Sequence, residues 1–265
     1  MGLRDAFVDE VIDYADSIDF LEVVPENWMT MGTVEKERFR RLRETFPMVA
    51  HGLSLSIGDP NGLDVGHLKR LRAFLDRWEI ETYSEHLSFT SLAGEQSHEL
   101  LPLPMTEKMV DIVVEKIERV QSLLQRPLVL ENPTYYLVPE STMSEIDFIG
   151  DILSRSDATL LLDINNLFVN GFNHGFDPIE FLDALDMNRV AYCHVAGHLE
   201  YREDLYIDTH GAPVKEEVWD LLADSLRRRR VPVLLERDNN IPPMEVLMAE
   251  FQTMREVVRR AGGDG

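Results

Sequence analysis

Thr159-Leu160-Leu161-Leu162-Asp163-Ile164 is a short, mostly apolar run with a carboxylate near its end, and its type recurs along the whole chain. Runs of this length, rich in Leu, Val and Ile, are typical of β-strands. Six others match it, at residues 20–24, 48–53, 82–87, 128–131, 190–195 and 231–236. The sequence therefore predicts at least seven strands, spaced along the chain.

Amphipathic stretches with helical spacing separate these runs. They cover residues 5–14, 34–45, 64–78, 106–124, 144–154, 178–185, 214–229 and 244 to about 260. Strands that alternate with helices pair in parallel through right-handed crossovers. A stub at Gly2-Leu3-Arg4 would be an eighth strand, so we predict an α/β fold, a (β/α)8 TIM barrel with a shortened first strand, as one domain over residues 1–265. A doubly wound open sheet is the alternative, although no Gly-rich phosphate loop follows any strand.

The composition excludes several classes of function. Lys and Arg number 26 against 48 Asp and Glu, a formal charge of −22 that repels nucleic acid and anionic membranes. No apolar run approaches the roughly 20 residues that cross a bilayer. The single cysteine, Cys193, excludes a disulfide framework and suits a reducing cytosol. We therefore expect a cytoplasmic protein that binds neither nucleic acid nor a membrane.

Residue types that bind metals end six successive strands. At the strand ends they are His51, His86, Glu131, Asp163, His194 and Glu236. The loop after the run 190–195 adds Asp208 and His210. The C-terminal strand ends of a barrel share one mouth, where catalytic residues lie. Four carboxylates at one mouth would destabilise each other unless cations lie between them. Histidines and carboxylates form a nitrogen and oxygen ligand set, and eight candidates predict a site for two or three metal ions.

Two further residues near these strand ends are candidates for the site. Asn166 lies three residues beyond Asp163 and either supplies an amide oxygen to a metal ion or makes only a loop hydrogen bond. The stretch from Asp163 to Asn166 has the form of an Asx-turn that leads into a loop. Asp238 lies two residues past Glu236, so it can face the same side and is our candidate for an acid–base or substrate-orienting role.

Neighbours of the candidate ligands have more than one possible role. Glu85 and Arg237 either serve the site or form outward-facing structural ion pairs. Cys193 directly precedes His194, so strand alternation predicts that it points away from the barrel interior and packs as a small hydrophobe.

Eight motifs in a fixed order resemble those of one enzyme family. They are Pro25-Glu26-Asn27-Trp28-Met29, His51-Gly52-Leu53-Ser54-Leu55-Ser56-Ile57-Gly58, Ser84-Glu85-His86-Leu87-Ser88, Leu130-Glu131-Asn132-Pro133, Leu162-Asp163-Ile164-Asn165-Asn166, His194-Val195-Ala196-Gly197-His198, Ile207-Asp208-Thr209-His210 and Glu236-Arg237-Asp238. The set resembles the multinuclear non-heme iron-dependent oxidative enzymes, the group that includes the methanobactin-biosynthesis oxidase, over residues 2 to about 250. More remotely, the order of ligands resembles the xylose-isomerase-like barrels, including endonuclease IV.

The resemblance implies two or three iron ions in mixed Fe(II)/Fe(III) valence, with O2 as co-substrate. Such enzymes oxidise residues, often cysteine, of ribosomally synthesised precursor peptides in natural-product biosynthesis, usually with a partner protein that presents the peptide. The resemblance assigns one iron to His51, His86 and Glu131, a second to Glu131, Asp163, His194 and Glu236, and a third to Asp208 and His210, with Asn166 as a further candidate.

The first strand departs from the family pattern. Members usually carry several residues before Gly2-Leu3 that complete this strand, whereas here it is a stub. Either the sequence starts late or the barrel closes less tightly at this seam. No metal ligand is lost with the missing residues.

Two rival functions stay open from the residues alone. A hydrolase or isomerase that uses Zn or Mn on the same barrel needs the same ligands. A metal-binding or scaffold protein without catalytic activity, acting in a peptide-maturation complex, is the other.

Overall fold

The computed structural model describes residues 1–92 and 95–262 of the chain. Its centre is a parallel sheet whose strands are, in spatial order, β1 (Leu21–Val23), β2 (Met48–Gly52), β3 (Tyr83–His86), β6 (Leu128–Glu131), β7 (Thr159–Asp163), β8 (Val190–Val195) and β11 (Val233–Leu235). Two antiparallel hairpins follow the C-terminal ends of β3 and β8. They are β4 (Phe89–Leu92) with β5 (Glu95–Leu101), and β9 (Leu199–Arg202) with β10 (Leu205–Ile207).

Helices connect the strands and cover the sheet. In chain order they are α1 (Pro25–Trp28), α2 (Thr33–Thr45), α3 (Val65–Arg77), α4 (Glu107–Leu124), α5 (Glu145–Ser154), α6 (Ile164–His174), α7 (Pro178–Ala184), α8 (Glu216–Arg228) and α9 (Met244–Ala261). In α4, for example, Val113, Ile117 and Val120 form a buried stripe with the three- to four-residue spacing of a helix face that packs on a core. Among the described helices, none combines the length and apolar character that a bilayer span requires.

The stub at the start of the chain closes the sheet into a barrel. Gly2 donates its backbone N–H to Leu235 O of β11 (3.1 Å), and Leu3 donates to Glu22 O of β1 (2.8 Å). The backbone N–H of Glu22 in turn donates to Met1 O (3.0 Å). The first and last strands of the open sheet are therefore joined through the stub. The predicted TIM barrel with a shortened first strand is confirmed, and its seam is hydrogen-bonded on both sides.

Residues 5–14 were expected to form one amphipathic helix, and this expectation is wrong. The segment forms two short 3-10 turns, Asp5–Phe7 and Val11–Tyr14. Isolated helical segments of this length gain little from their own hydrogen bonds, so tertiary packing decides their shape. Here Phe7, Val8 and Val11 are buried in the core, which fixes the turns against the barrel.

The alternative interpretation of Asp163 to Asn166, an Asx-turn that leads into a loop, is wrong, because α6 begins at Ile164. The Asp163 carboxylate accepts a hydrogen bond from Asn166 N (2.6 Å), three residues on, which is the bond of a helix N-cap, whereas an Asx-turn would bond the residue two positions on. Burial of most of α6 favours the helical continuation. The helix ends at Gly175, whose φ of 75° lies in the left-handed region that favours glycine.

Side chains inside and outside the barrel alternate along β8 as expected. Tyr192 packs with Val129 and Leu161 in a small cluster of its own, separate from the main core. Cys193 belongs to the main core between sheet and helices, and it is buried and unbridged. The prediction that Cys193 points away from the interior is therefore confirmed.

A buried polar network fixes the loop between β6 and α5 onto α6. Asn170 accepts a hydrogen bond from Tyr135 N (3.2 Å) and donates to Pro133 O (3.1 Å). It also lies within 3.4 Å of Glu145 Oε1, while the Tyr135 hydroxyl donates to Glu145 Oε2 (3.1 Å). Because this loop leaves the barrel directly after Glu131, the network also holds the end of β6 in place.

Glu145 is expected to make stability depend on pH. Burial raises the pKa of its carboxyl from 4.5 to about 7, against the hydrogen bonds from Tyr135 and Asn170. A group whose pKa is higher in the folded state stabilises the protein below its unfolded pKa, and this contribution is lost as pH rises through the folded value. Relative to Glu145→Gln, we expect the free energy of unfolding to fall by about 2 kcal/mol between pH 5 and pH 8.

Denaturant unfolding of both proteins at several pH values measures this difference. Glu115→Gln, an exposed change on α4, is the control and should leave the pH dependence as it is in the parent chain. If the native chain and Glu145→Gln keep a constant difference from pH 5 to pH 8, Glu145 is ionised in the folded state over that whole interval.

Candidate metal centre

The register of the parallel strands brings the predicted ligands together. His86 of β3 is aligned with Glu131 of β6, and Asp163 of β7 is aligned with His194 of β8. His51 lies near the end of β2, and Glu236 follows β11 directly. All of these side chains are buried at the C-terminal end of the barrel.

One group of ligand atoms, here called site I, consists of His51, His86 and Glu131. Glu131 Oε2 lies 2.9 Å from His51 Nε2 and 3.2 Å from His86 Nε2. The two imidazole Nε2 atoms are themselves 3.2 Å apart. Three ligand atoms from three strands thus surround one point.

The other nitrogen of each site I imidazole is held by the barrel. His86 Nδ1 lies 3.2 Å from Gly52 O, a carbonyl that only accepts, so the proton is on Nδ1 and the lone pair is on Nε2. His51 Nδ1 lies 2.8 Å from Ser84 Oγ. Partners of this kind fix the ring orientation of metal-binding histidines.

A second group, site II, consists of Glu131, Asp163, His194 and Glu236. His194 Nδ1 lies 3.0 Å from Glu236 Oε2, 3.9 Å from Asp163 Oδ2 and 4.0 Å from Glu131 Oε1. Glu131 therefore presents Oε2 to site I and Oε1 to site II. This is the arrangement of a carboxylate that can bridge two cations.

A third group, site III, consists of Asp208 and His210 beside Glu236. Asp208 Oδ1 lies 2.7 Å from His210 Nε2, and His210 Nδ1 lies 3.4 Å from Glu236 Oε2. Asp238, the acid–base candidate, is exposed and places Oδ2 3.1 Å from His210 Nδ1. The backbone of His210 is left-handed with φ 47°, a strained conformation for this residue that Asp238 N stabilises by donating to His210 O (2.9 Å).

The two asparagines after Asp163 occupy different places. Asn166 has its amide nitrogen 3.3 Å from Glu131 Oε1, and its oxygen accepts from Thr134 Oγ1 (2.8 Å). It is Asn165 that reaches site III, where its Nδ2 donates to Asp208 Oδ1 (2.8 Å). Asn166 thus lies beside sites I and II, and its role as a ligand of the third group stays a prediction. The sequence could have pointed to Asn165 as well, because it directly precedes the candidate Asn166.

Several buried ligand atoms lack hydrogen bonds within the described part of the chain. They are Glu131 Oε2, Asp163 Oδ2, His194 Nδ1 and His210 Nε2. Buried polar atoms without a partner are costly, yet these lie only 2.7 to 3.9 Å from other ligand atoms. Atoms bound at about 2 Å to one cation are spaced in this range. The donor set therefore fits metal ions of the first transition row.

The carboxyl groups of site II differ in pKa. Burial and the charge of Glu131 raise the pKa of Asp163 to about 8. The pKa of Glu131 is lowered to about 2, because nearby His86 and His51 more than offset the effect of burial. Two adjacent carboxyl groups with pKa values on opposite sides of neutrality are typical of a functional site.

Glu22 is a part of the centre that the sequence reasoning missed. Its Oε2 accepts hydrogen bonds from His194 Nε2 (3.0 Å) and from the Tyr192 hydroxyl (2.8 Å). The Tyr192 oxygen lies 2.7 Å from Ser84 Oγ, which also contacts His51. We call Glu22, Tyr192 and Ser84 the Glu22 network; it joins the outer nitrogens of two candidate ligands. The sequence could have pointed to Glu22, because it is a glutamate inside the otherwise apolar run 20–24.

Glu22 positions His194 rather than sharing a metal ion with it. Glu22 and Glu236 lie on opposite ring nitrogens of His194, Nε2 and Nδ1. Because Nε2 donates its proton to Glu22, the lone pair is on Nδ1, which faces site II.

Arg4 is the second missed residue. Its Nη2 donates to Glu236 Oε1 (2.7 Å) and its Nε donates to Asp238 Oδ1 (2.8 Å). The bond to Oε1 leaves Oε2 of Glu236 directed at sites II and III. No pattern in the sequence around Arg4 indicated a role at the metal centre. Only closure of the barrel brings this arginine to Glu236.

Replacement of Arg4 by Met is expected to weaken metal binding at sites II and III about ten-fold, because Glu236 loses the partner that orients it. Metal titration against a competing chelator measures this affinity. Arg119→Met, an exposed change on α4, is the control and should bind as the parent chain does. Equal affinity of Arg4→Met and Arg119→Met would mean that Glu236 is oriented without Arg4.

Glu85 and Arg237 are not outward-facing, so that part of the alternative is wrong. Glu85 is fully buried and accepts hydrogen bonds from Ser54 N (2.8 Å) and Leu55 N (2.6 Å), which fixes the loop after β2. Arg237 is also buried and forms a structural ion pair with Glu250 of α9 (2.6 Å).

The model of one protein family, RiPP precursor modification enzyme MbnB/TglH/ChrH, matches residues 1–259. The chain belongs to this family. The UPF0276 protein of Shewanella sediminis is similar at 46% identity over 258 residues, which cover 97% of this chain and 92% of that protein. The resemblance stated from the motifs is thereby confirmed, and the family indicates an enzyme that acts on a peptide.

Solved structures confirm the class of barrel. D-psicose 3-epimerase from Clostridium cellulolyticum H10 is similar with a TM-score of 0.64 at 10% identity, over 98% of this chain and 94% of that one. A xylose isomerase domain protein from Planctomyces limnophilus is similar with a TM-score of 0.59 at 13% identity, over 96% and 93%. At such identities the likeness shows the fold, a xylose-isomerase-like TIM barrel.

Proposed function

We propose that this protein is a multinuclear iron-dependent oxidase that uses O2 to modify a residue, with cysteine as the expected target, of a ribosomally synthesised precursor peptide. A partner protein that presents the peptide is part of the proposal. The observation that carries it is the cluster of three adjoining ligand groups that share Glu131 and Glu236. A cluster of this kind can hold two or three cations close together.

Iron is proposed for sites I, II and III, with the residues that define each. When bound, iron supplies Lewis acidity toward a thiol and one-electron chemistry with O2. The mixed nitrogen and carboxylate donors are suited to iron, and also to Zn and Mn. The eight motifs shared with the iron-dependent oxidative enzymes favour iron over the other two.

The residues of the chain organise the remaining work. The buried strand ends exclude water from sites I and II, and the Glu22 network fixes the ring orientation of His194 and His51. Asp238 is the exposed carboxylate at the mouth, held by Arg4 and His210. It is placed to accept or return a proton of the bound peptide, because solvent and substrate reach its side chain.

The proposal is tested by loading the anaerobically purified protein with Fe, Zn or Mn and adding its precursor peptide and O2. Mass spectrometry of the peptide, O2 consumption and elemental analysis are the measurements. We expect a mass change and O2 uptake with Fe alone. Asp208→Asn should abolish turnover, while Asp204→Asn, at the exposed tip of the β9–β10 hairpin, should retain it.

Two outcomes would contradict this proposal. A peptide or small-molecule product formed with Zn or Mn and without O2 would indicate the hydrolase or isomerase alternative. An unchanged peptide in the presence of fully iron-loaded protein, O2 and the partner would reject the oxidase.

A further inference from the structure

A cavity of about 490 Å³ lies outside the metal centre, between the β6–α5 loop and the α6–α7 turn. Its walls are largely apolar, with Val138, Met143 and Ile146 on one side and Phe176 and Phe181 on the other. Cavities of about 300–1,000 Å³ with apolar walls and a few polar groups are typical of ligand sites. The space is large enough for a bulky side chain together with part of its neighbour.

The polar groups of the cavity are mainly acidic. Buried Glu145 lines it together with Asp177 and Glu180, and the described lining residues include no Lys or Arg. The one basic side chain, His174, stacks on Tyr135 at a ring distance of 4.2 Å and lies 2.8 Å from Tyr135 O. Burial without a countercharge raises the pKa of Glu145. A cation that enters the cavity favours the ionised form of this carboxyl and forms a charge-assisted hydrogen bond with it.

The cavity lies next to the mouth of the barrel. Tyr135 lines it, and the following residue, Tyr136, accepts a hydrogen bond from Asp208 N of site III (2.8 Å). Three consecutive apolar residues are exposed here, Tyr136 at 51%, Leu137 at 71% and Val138 at 52%. Contiguous exposed apolar residues are typical of surfaces that bind another molecule. A peptide that enters site III can pass over this segment into the cavity.

We infer that this cavity is a specificity pocket for the peptide substrate, which binds one large apolar side chain and an adjacent Lys or Arg. The inference rests on the proposed function for its substrate class. The apolar walls bind the first side chain, and Glu145, Asp177 and Glu180 bind the cationic one. Complementary charge selects this occupant over an acidic peptide, which the −22 of the chain repels.

Blocked dipeptides test the pocket without turnover. N-acetyl-arginyl-phenylalaninamide and N-acetyl-glutamyl-phenylalaninamide are titrated into the full-length, metal-loaded protein by calorimetry. We expect the basic dipeptide to bind at least about ten-fold more tightly than the acidic one. Val138→Trp, which adds bulk to the lining of the cavity, should abolish binding, while Val246→Trp, at an exposed position on α9 outside the lining, should not.

Glu145→Gln separates charge from shape, because the amide oxygen still accepts a hydrogen bond from Tyr135. We expect it to weaken the basic dipeptide about ten-fold and to leave the acidic one unchanged. Circular dichroism confirms that each variant folds. Equal binding of the two dipeptides, or equal effects of Val138→Trp and Val246→Trp, would overturn the pocket. A dimer that only Val138→Trp dissociates would also overturn it, in favour of a second copy of this chain as occupant.

These results are independent of the oxidase chemistry. Dipeptide binding with no modification of any precursor peptide would reject the proposed function and keep the pocket. Modification of the precursor peptide without any dipeptide binding would reject the pocket and keep the proposed function.

Discussion

Glu131→Ala is expected to remove the metal ions of sites I and II and to lower peptide turnover by at least about 10³-fold. The physical reason is that one carboxylate serves both groups. Its Oε2 lies 2.9 Å from His51 Nε2, and its Oε1 lies 4.0 Å from His194 Nδ1. Loss of this side chain removes a ligand atom and negative charge from each site, so both bind cations more weakly.

Elemental analysis after anaerobic purification measures the iron content. We expect at most one iron per chain in Glu131→Ala, held by site III. Glu131→Gln keeps one carbonyl oxygen and should retain more iron than Glu131→Ala. Glu118→Ala, an exposed glutamate on α4, serves as control and should keep the iron content and turnover of the parent chain. Full iron content in Glu131→Ala would show that this residue does not bridge the two sites.

Glu22→Ala is expected to weaken iron binding at site II by about 10- to 100-fold, although Glu22 is not proposed as a metal ligand. The change leaves the His194 Nε2–H and the Tyr192 hydroxyl without their common acceptor in a buried position. An imidazole without this partner is free to turn or to change tautomer, and its Nδ1 is then less available to a cation.

Two milder variants separate position from charge. Glu22→Gln keeps an acceptor oxygen but removes the negative charge, so we expect near-normal iron content with a shifted reduction potential. Tyr192→Phe removes the hydroxyl that links Glu22 to Ser84 but leaves Glu22 as the acceptor for His194 Nε2, so it should act more weakly than Glu22→Ala. Tyr201→Phe, on an exposed ring of β9, is the control. Iron affinity and potential in Glu22→Ala that equal those of Tyr201→Phe would show that the Glu22 network has no influence on the centre.

Most of the barrel could be predicted from local patterns. The runs at residues 128–131 and 190–195 correspond to β6 and β8 without any difference in bounds. Hydrophobic burial selects such runs, and parallel pairing then aligns their C-terminal ends. For this reason the sequence placed His86 beside Glu131 and Asp163 beside His194, as the register shows.

Local patterns did not predict the segments where tertiary packing competes with local preference. Asp163 caps the start of α6 instead of forming an Asx-turn, because burial favours the helix, and α6 then directs Asn165 toward Asp208 and Asn166 toward Glu131. One residue of difference on a helix rotates a side chain by about 100°, so an error in the element changes the partner.

The sequence by itself determined the class of barrel, the family and the strand ends that carry the candidate ligands. Only the tertiary structure decided what orients those ligands. Arg4 reaches Glu236 across a separation of 232 residues, and Glu22 reaches His194 across 172. Barrel closure joins the first strands to the last, and no periodicity in the chain encodes which side chains meet across that seam. Residues that hold ligands from across the seam are therefore found only when the barrel is built.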